Sequence, residues 1–196
     1  MSVFSGFSQE VVPDSETGET VVEPILPPES ENSVVETSQT LDRLFEKLRV
    51  DPNSNSAKAT ARQIWREWTQ TDSDTVNLLM RWASRAMGEK KHAQASDLLD
   101  RVVVLAPDYA EGWNRRATVH YYRKDFSKSI ADIEATLTLE PRHFGALSGL
   151  AAILQRIGQD EKALETWYKV LEIYPANQQA QESVIELEEE LSGRRT

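Results

Sequence analysis

Pro107, Pro141 and Pro175 stand 34 residues apart, and apolar and small residues recur around each of them at the same offsets. A period of this length holds two short antiparallel helices and their turns. Such a unit has one apolar face and nothing of its own to bury it against, so it is stable only when stacked on neighbours of its kind. The expected product is an elongated all-α surface rather than a closed pocket, and such surfaces bind other chains.

Numbering each unit so that its proline is position 32 gives three gapless repeats, 76–109, 110–143 and 144–177. Position 4 is large (Leu79, Trp113, Leu147), position 8 small (Ala83, Ala117, Ala151), position 20 small (Ala95, Ser129, Ala163) and position 24 large (Leu99, Ile133, Trp167). Where the first helix of a pair crosses the second, a small residue lets the backbones approach and a large one fills the gap beside it. An apolar run precedes each proline, over 102–105, 137–139 and 170–173. The residue before a proline is disfavoured in the α region, so the second helix must end there.

These residues resemble the tetratricopeptide repeat family, whose pattern runs Trp, two residues, Leu-Gly, two residues, Tyr, then Ala, three residues, Phe, and finally Pro. The second repeat carries Trp113, Ala117, Ser129, Ile133 and Pro141, with Phe126 in the aromatic slot opening its second helix, but has Arg116 and His120 where the family prefers Leu and Tyr. The third carries Leu147, Leu150, Ala151, Leu154, Gly158, Ala163, Trp167 and Pro175. The resemblance implies a right-handed superhelical solenoid of antiparallel helix pairs, acting as a non-catalytic protein-protein interaction module.

Upstream, the register continues into a divergent helix pair over 41–75, with Phe45 and Leu48 on positions 4 and 7 and Ala61 and Trp65 on positions 20 and 24. Its first helix should stop near Asp51-Pro52-Asn53, and its second bears Ala61, Ile64, Trp65 and Trp68 on one unusually bulky stripe. The unit is expected to stack as a fourth repeat. Downstream, 178–191 sets Ala180, Val184, Leu187 and Leu191 on one side and glutamates elsewhere, the polar cap that a terminal repeat requires. Gly193 suits a helix stop, and Arg194 and Arg195 suit a helix C-terminus.

Residues 1–40 are different material. They hold eight acids, no Lys or Arg, and Pro13, Pro24, Pro27 and Pro28, a composition that reads as a disordered tail and solvated spacer. Val21-Val22 and the stretch 24–28 are its only sticky spots, and a groove-occupying, autoinhibitory arm is the alternative. Removing those eight from the 32 acids leaves 24 against 22 basic residues, so the net charge of -10 belongs almost wholly to the tail. A near-neutral solenoid without a basic stripe is not a nucleic-acid binder. With no cysteine, disulfides and thiolate metal sites are excluded. No apolar run is long enough for membrane insertion. The chain as written therefore reads as cytoplasmic, with a periplasmic or exported form as the alternative, because 3–8 resembles the end of a signal peptide.

No pattern here supports chemistry. His92, His120 and His143 form no ligand pair, and phosphate loops and nucleophile elbows are lacking, so neither catalytic residues, metal nor cofactor is expected. His120 is read as a packed histidine with one satisfied nitrogen, and His92 and His143 as solvated. Arg116 is read as snorkelling to solvent. Its alternative is a cationic edge with Arg115, Arg123 and Arg156 that pairs with a partner's carboxylates.

In the family the concave face is lined by positions 2, 5, 9, 12 and 13 of each first helix. The resemblance thereby implies a partner groove of Asn77, Met80, Ser84 and Met87 in the first repeat, Glu111, Asn114, Thr118, Tyr121 and Tyr122 in the second, and Ser148, Gln155 and Arg156 in the third. Asn114 and Gln155 can pair with a peptide backbone, and the tyrosines and methionines offer adaptable apolar area. The slots that grip chaperone tails in relatives hold Met80, Ser84, Arg115, Gly145 and Gly149, so that clamp is absent. The expected role is an adaptor or scaffold taking an extended segment of a protein partner. The alternative is a structural, self-associating assembly factor built on Trp65, Trp68 and Trp82.

Overall fold

The computed structural model describes residues 28–194, with side chains for 39–193. The tail reading over 1–27, its stretch at 24–27, the leader-like residues 3–8, the Arg194 side chain and Arg195 all lie outside the described residues. Among the described residues the chain forms nine α-helices and no strand: α1 (Pro28–Val50), α2 (Ser54–Trp68), α3 (Asp74–Gly88), α4 (His92–Leu105), α5 (Ala110–Tyr122), α6 (Phe126–Leu139), α7 (Phe144–Arg156), α8 (Asp160–Ile173) and α9 (Gln178–Arg194). None is long and apolar enough to cross a membrane. Helix α1 starts at Pro28, inside the stretch read as tail up to residue 40. Proline suits this first position because its missing N–H would have no partner there and its φ is already helical.

Helices α3 to α8 form three antiparallel pairs. Each second helix ends two residues before its proline, at Leu105, Leu139 and Ile173. The small residues at positions 8 and 20 are all buried, and Ser129 Oγ donates to the Ala117 carbonyl at 2.8 Å, tying α6 to α5 at their crossing. Leu99, Ile133 and Trp167 fill the space beside those crossings and are almost wholly buried. The period also appears in the backbone. Lys90, Lys124 and Gly158, 34 residues apart, have φ of 58°, 61° and 73°. Each closes its first helix, its own N–H bonding back to Met87, Tyr121 or Gln155 and the next residue's N–H to Ala86, His120 or Leu154. Only the third repeat places glycine at this left-handed position.

Upstream of the repeats α1 packs against α2 as a hairpin, but it does not continue the stack. Phe45, Leu48, Ala57, Ala61, Ile64 and Trp68 share one core with Phe144, Leu147, Trp167 and Tyr174 of the third repeat and with α9, while the α3–α4 core contains none of them. The hairpin is folded back over the turn between α6 and α7. Trp68 stacks on His143 with centroids 4.0 Å apart and planes at 9°, and Trp65 stands edge-on to His143 and Phe144. Arg142 lies over the Phe45 ring at 4.2 Å and donates to Asp42 at 2.7 Å. Two indoles on one face of α2 pack against the rings of His143 and Phe144, and such aromatic pairs stabilise by about 0.5–1.5 kcal/mol each beyond the area they bury. The docking also corrects the reading of His143 as solvated, since its side chain is fully buried.

Arg116 neither snorkels nor forms a cationic edge. Its guanidinium makes a two-pronged pair with buried Asp132 on α6, at 2.9 and 2.7 Å, and reaches Asp100 on α4 at 3.0 Å. It therefore bridges two repeats from the position where the family carries leucine.

Candidate functional site

Between α5 and α7 runs a groove of about 270 Å³. Ala117, Ile133, Ala146 and Ile153 form its apolar floor, Asn114, Thr118, Tyr121 and Tyr122 one wall, and Ser148, Gly149 and Ala152 the other, with Gln179 of α9 at its end. A second recess of about 470 Å³ continues from it, sharing Asn114, Thr118, Gly145, Ser148 and Gln179. This recess is closed on its far side by Lys58, Arg62 and Trp65 of α2, so the docked hairpin supplies part of the wall. The approach is close: a Cβ at Gly145 would lie 2.6 Å from two ring atoms of Trp65.

The residues proposed for the groove divide in two. Asn114, Thr118, Tyr121, Tyr122 and Ser148 come together there, and Arg156 sits beside them, its Nη1 donating to the Tyr121 hydroxyl at 3.3 Å. The others are occupied elsewhere. Met80 is buried in the α3–α4 core with Met87 packed against it, and Asn77 holds the α2–α3 connection by donating to the Thr71 carbonyl at 2.7 Å. Ser84 donates to the Met80 carbonyl and receives Arg115, and Gln155 accepts the Trp167 indole N–H at 2.9 Å. Lys58, Arg62 and Gln179 were not legible as site residues, because each arrives from a helix outside the three repeats. The absence of a side chain at Gly145, on the groove side of a helix, was the one available signal of a close neighbour.

Beneath the Asn114 wall lies a buried polar cluster. Glu111, 2 % exposed, accepts from Asn114 Nδ2 at 2.8 Å and from Arg115 Nε at 2.7 Å, and faces His143 Nε2 at 3.3 Å. His143 Nδ1 accepts the Ala146 N–H at 3.0 Å and so caps α7. Burial alone would raise the Glu111 pKa, but His143 and Arg115 outweigh it and hold the carboxyl below its ordinary range. At His120 burial is the main influence and lowers the pKa, opposed by Asp132 at 3.6 Å from Nε2. Its Nδ1 is buried without a hydrogen-bond partner, while Nε2 faces Asp132.

Both shifts have the same sign for stability. For each group the folded pKa lies below the unfolded one, so the stabilisation is complete above the ordinary value and is lost as pH falls through the folded value. Chemical denaturation should therefore show stability flat above the ordinary histidine value of 6.5, declining below it as His120 is forced to charge, and falling again below the ordinary 4.5 of Glu111. Glu111→Gln should flatten the lower limb alone. A lower limb unchanged in that variant would show that other carboxylates carry it.

The sequence matches no family model. It is 47% identical over 168 residues to a TPR repeat-containing protein of Rhizobium etli, an alignment covering 86% of this chain and 82% of that one. Among solved structures it is similar to the first TPR of Spaghetti (RPAP3) bound to an HSP90 peptide, with a TM-score of 0.59 at 20% identity over 62% of this chain and 97% of that one. It is likewise similar to MamA, with a TM-score of 0.57 at 17% identity over 86% of each chain. These two likenesses show the fold.

Proposed function

Because this chain belongs to the tetratricopeptide repeat family, we propose that it is a non-catalytic adaptor that holds an extended segment of a partner protein in the α5–α7 groove. The observation that carries this reading is the groove itself: an apolar floor between walls where Tyr121 and Tyr122 present aromatic faces, and where the Thr118 and Ser148 hydroxyls, which donate to the Asn114 and Phe144 carbonyls, keep lone pairs that can accept from a ligand. Such a lining suits a peptide, whose side chains bury on the floor while its backbone pairs with the walls. The RPAP3 domain, of the same fold, holds a peptide. The alternative of self-association loses two of its three tryptophans, because Trp65 and Trp68 are engaged within the molecule, and keeps only Trp82, which is 52% exposed.

The test is affinity capture from native extract with the full chain beside a Tyr121→Ala/Ala152→Arg variant of equal helicity. Truncating a central aromatic anchor costs about 2 kcal/mol or more, so a groove partner should bind the variant about thirtyfold more weakly. Equal capture by both would place the binding site elsewhere. Retention of only its own copies would favour assembly through the Trp82 end.

A further inference from the structure

We propose that residues 10–19 of this same chain occupy the groove, held by the cationic wall that α2 contributes, so that a partner must displace them. The inference rests on the groove reading above and adds a competitor to it. No lining residue of the groove or its continuing recess is acidic, whereas Lys58 and Arg62 stand at one end and Arg156 beside the other. Among the described residues no carboxylate pairs with Lys58 or Arg62; Lys58 donates to the neutral side chain of Gln178. These cations are thus available to an anion, and the chain carries a matching one. Glu10, Asp14, Glu16 and Glu19 fall within ten residues that contain no Lys or Arg.

The connection is long enough. Helix α1 runs antiparallel to α2, so Pro28 lies about 30 Å along the helix from the level of Lys58, at about 1.5 Å per residue. Residues 20–27, at up to about 3.5 Å each, reach about 28 Å when fully extended, which brings Glu19 to the level of Lys58 and leaves Glu16, Asp14 and Glu10 to run on along the groove toward Arg156. Attachment to the same chain makes the contact intramolecular, and a linker pulled close to full extension gains less from this than a slack one.

The chain has no cysteine, so Ser15→Cys supplies a single attachment point for a nitroxide. In isotope-labelled full-length protein the label should broaden the amide signals of Thr118, Ser148 and Gln179 and leave those of Val104 and Tyr168, exposed on outer helices, sharp. The broadening should vanish in about 1 M salt, where charges are screened beyond about 3 Å. It should vanish also when Glu10, Asp14, Glu16 and Glu19 are all made amides, a change that leaves the folded part intact. Uniform broadening, or a pattern that survives neutralisation, overturns the proposal. So does broadening passed from a nitroxide-bearing copy to a separate isotope-labelled copy, because the contact would then be between molecules. A failed label experiment with successful partner capture leaves the groove reading standing, whereas failed capture with a positive label experiment removes the partner and keeps the segment.

Discussion

Gly145→Ala is expected to destabilise this protein, although the same change in a helix ordinarily stabilises by about 0.5–1 kcal/mol. The new methyl would stand 2.6 Å from Trp65 Cη2 and Cζ2. The indole cannot yield, because it is braced by Trp68, His143 and Phe144 at centroid distances of 5.3, 5.3 and 5.7 Å. The hairpin must shift as a body, at about 1–3 kcal/mol for an overpacked contact. In a chain of this size the thermal midpoint should fall by about 2–4 °C for each kcal/mol. The check is a double-mutant cycle. In a Trp65→Ala background the collision is gone, and Gly145→Ala should recover its ordinary stabilising sign. A stabilising effect in the unmodified chain would mean that α2 does not sit against α7.

Glu111→Ala should cost about 3 kcal/mol, the lower end of the range for breaking a buried charge pair, because Arg115 keeps 26% of its side chain in water and can rehydrate. His143 has no such escape, since it is fully buried beneath Trp68. Glu111→Gln retains an acceptor for Asn114 and should cost about 1–2 kcal/mol. The two variants separate stability from binding. Asn114 forms part of the groove wall and Glu111 is its anchor, so the alanine variant should bind a groove partner more weakly even at temperatures where it is fully folded. Urea titration with titration of a captured partner checks both. A folded alanine variant with undiminished binding would remove Asn114 from the site.

Much of the solenoid was legible because its contacts repeat. Ala117 and Ser129 meet at one crossing, and their equivalents Ala83, Ala95, Ala151 and Ala163 are buried at the same offsets in the neighbouring units, so each packing rule is written three times. The turns were less legible. Gly158 announces its left-handed backbone, but Lys90 and Lys124 adopt the same φ with nothing in their residue type to show it. Arg116 read as an exception because its partners lie on two other helices, and no local pattern pairs position 7 of one helix with Asp132 of the next. The groove map had the same weakness: Thr118, Tyr121 and Ser148 reach the groove, whereas Met80 and Gln155 share their helical positions yet serve the packing.

The 34-residue period by itself determined the helix pairs, their crossings and the proline-bounded ends, because those depend on contacts within a unit or with the next one along the chain. The seat of the α1–α2 hairpin was decided only by tertiary structure. Trp65 and Trp68 meet Phe144 and Gly145 across two intervening repeats, and His143 at the end of the second of them, a contact with no periodic counterpart. That one docking buries His143 and brings Lys58 and Arg62 to the groove. It follows from ring contacts between two indoles and aromatic neighbours far away in sequence, which residue spacing along the chain does not encode.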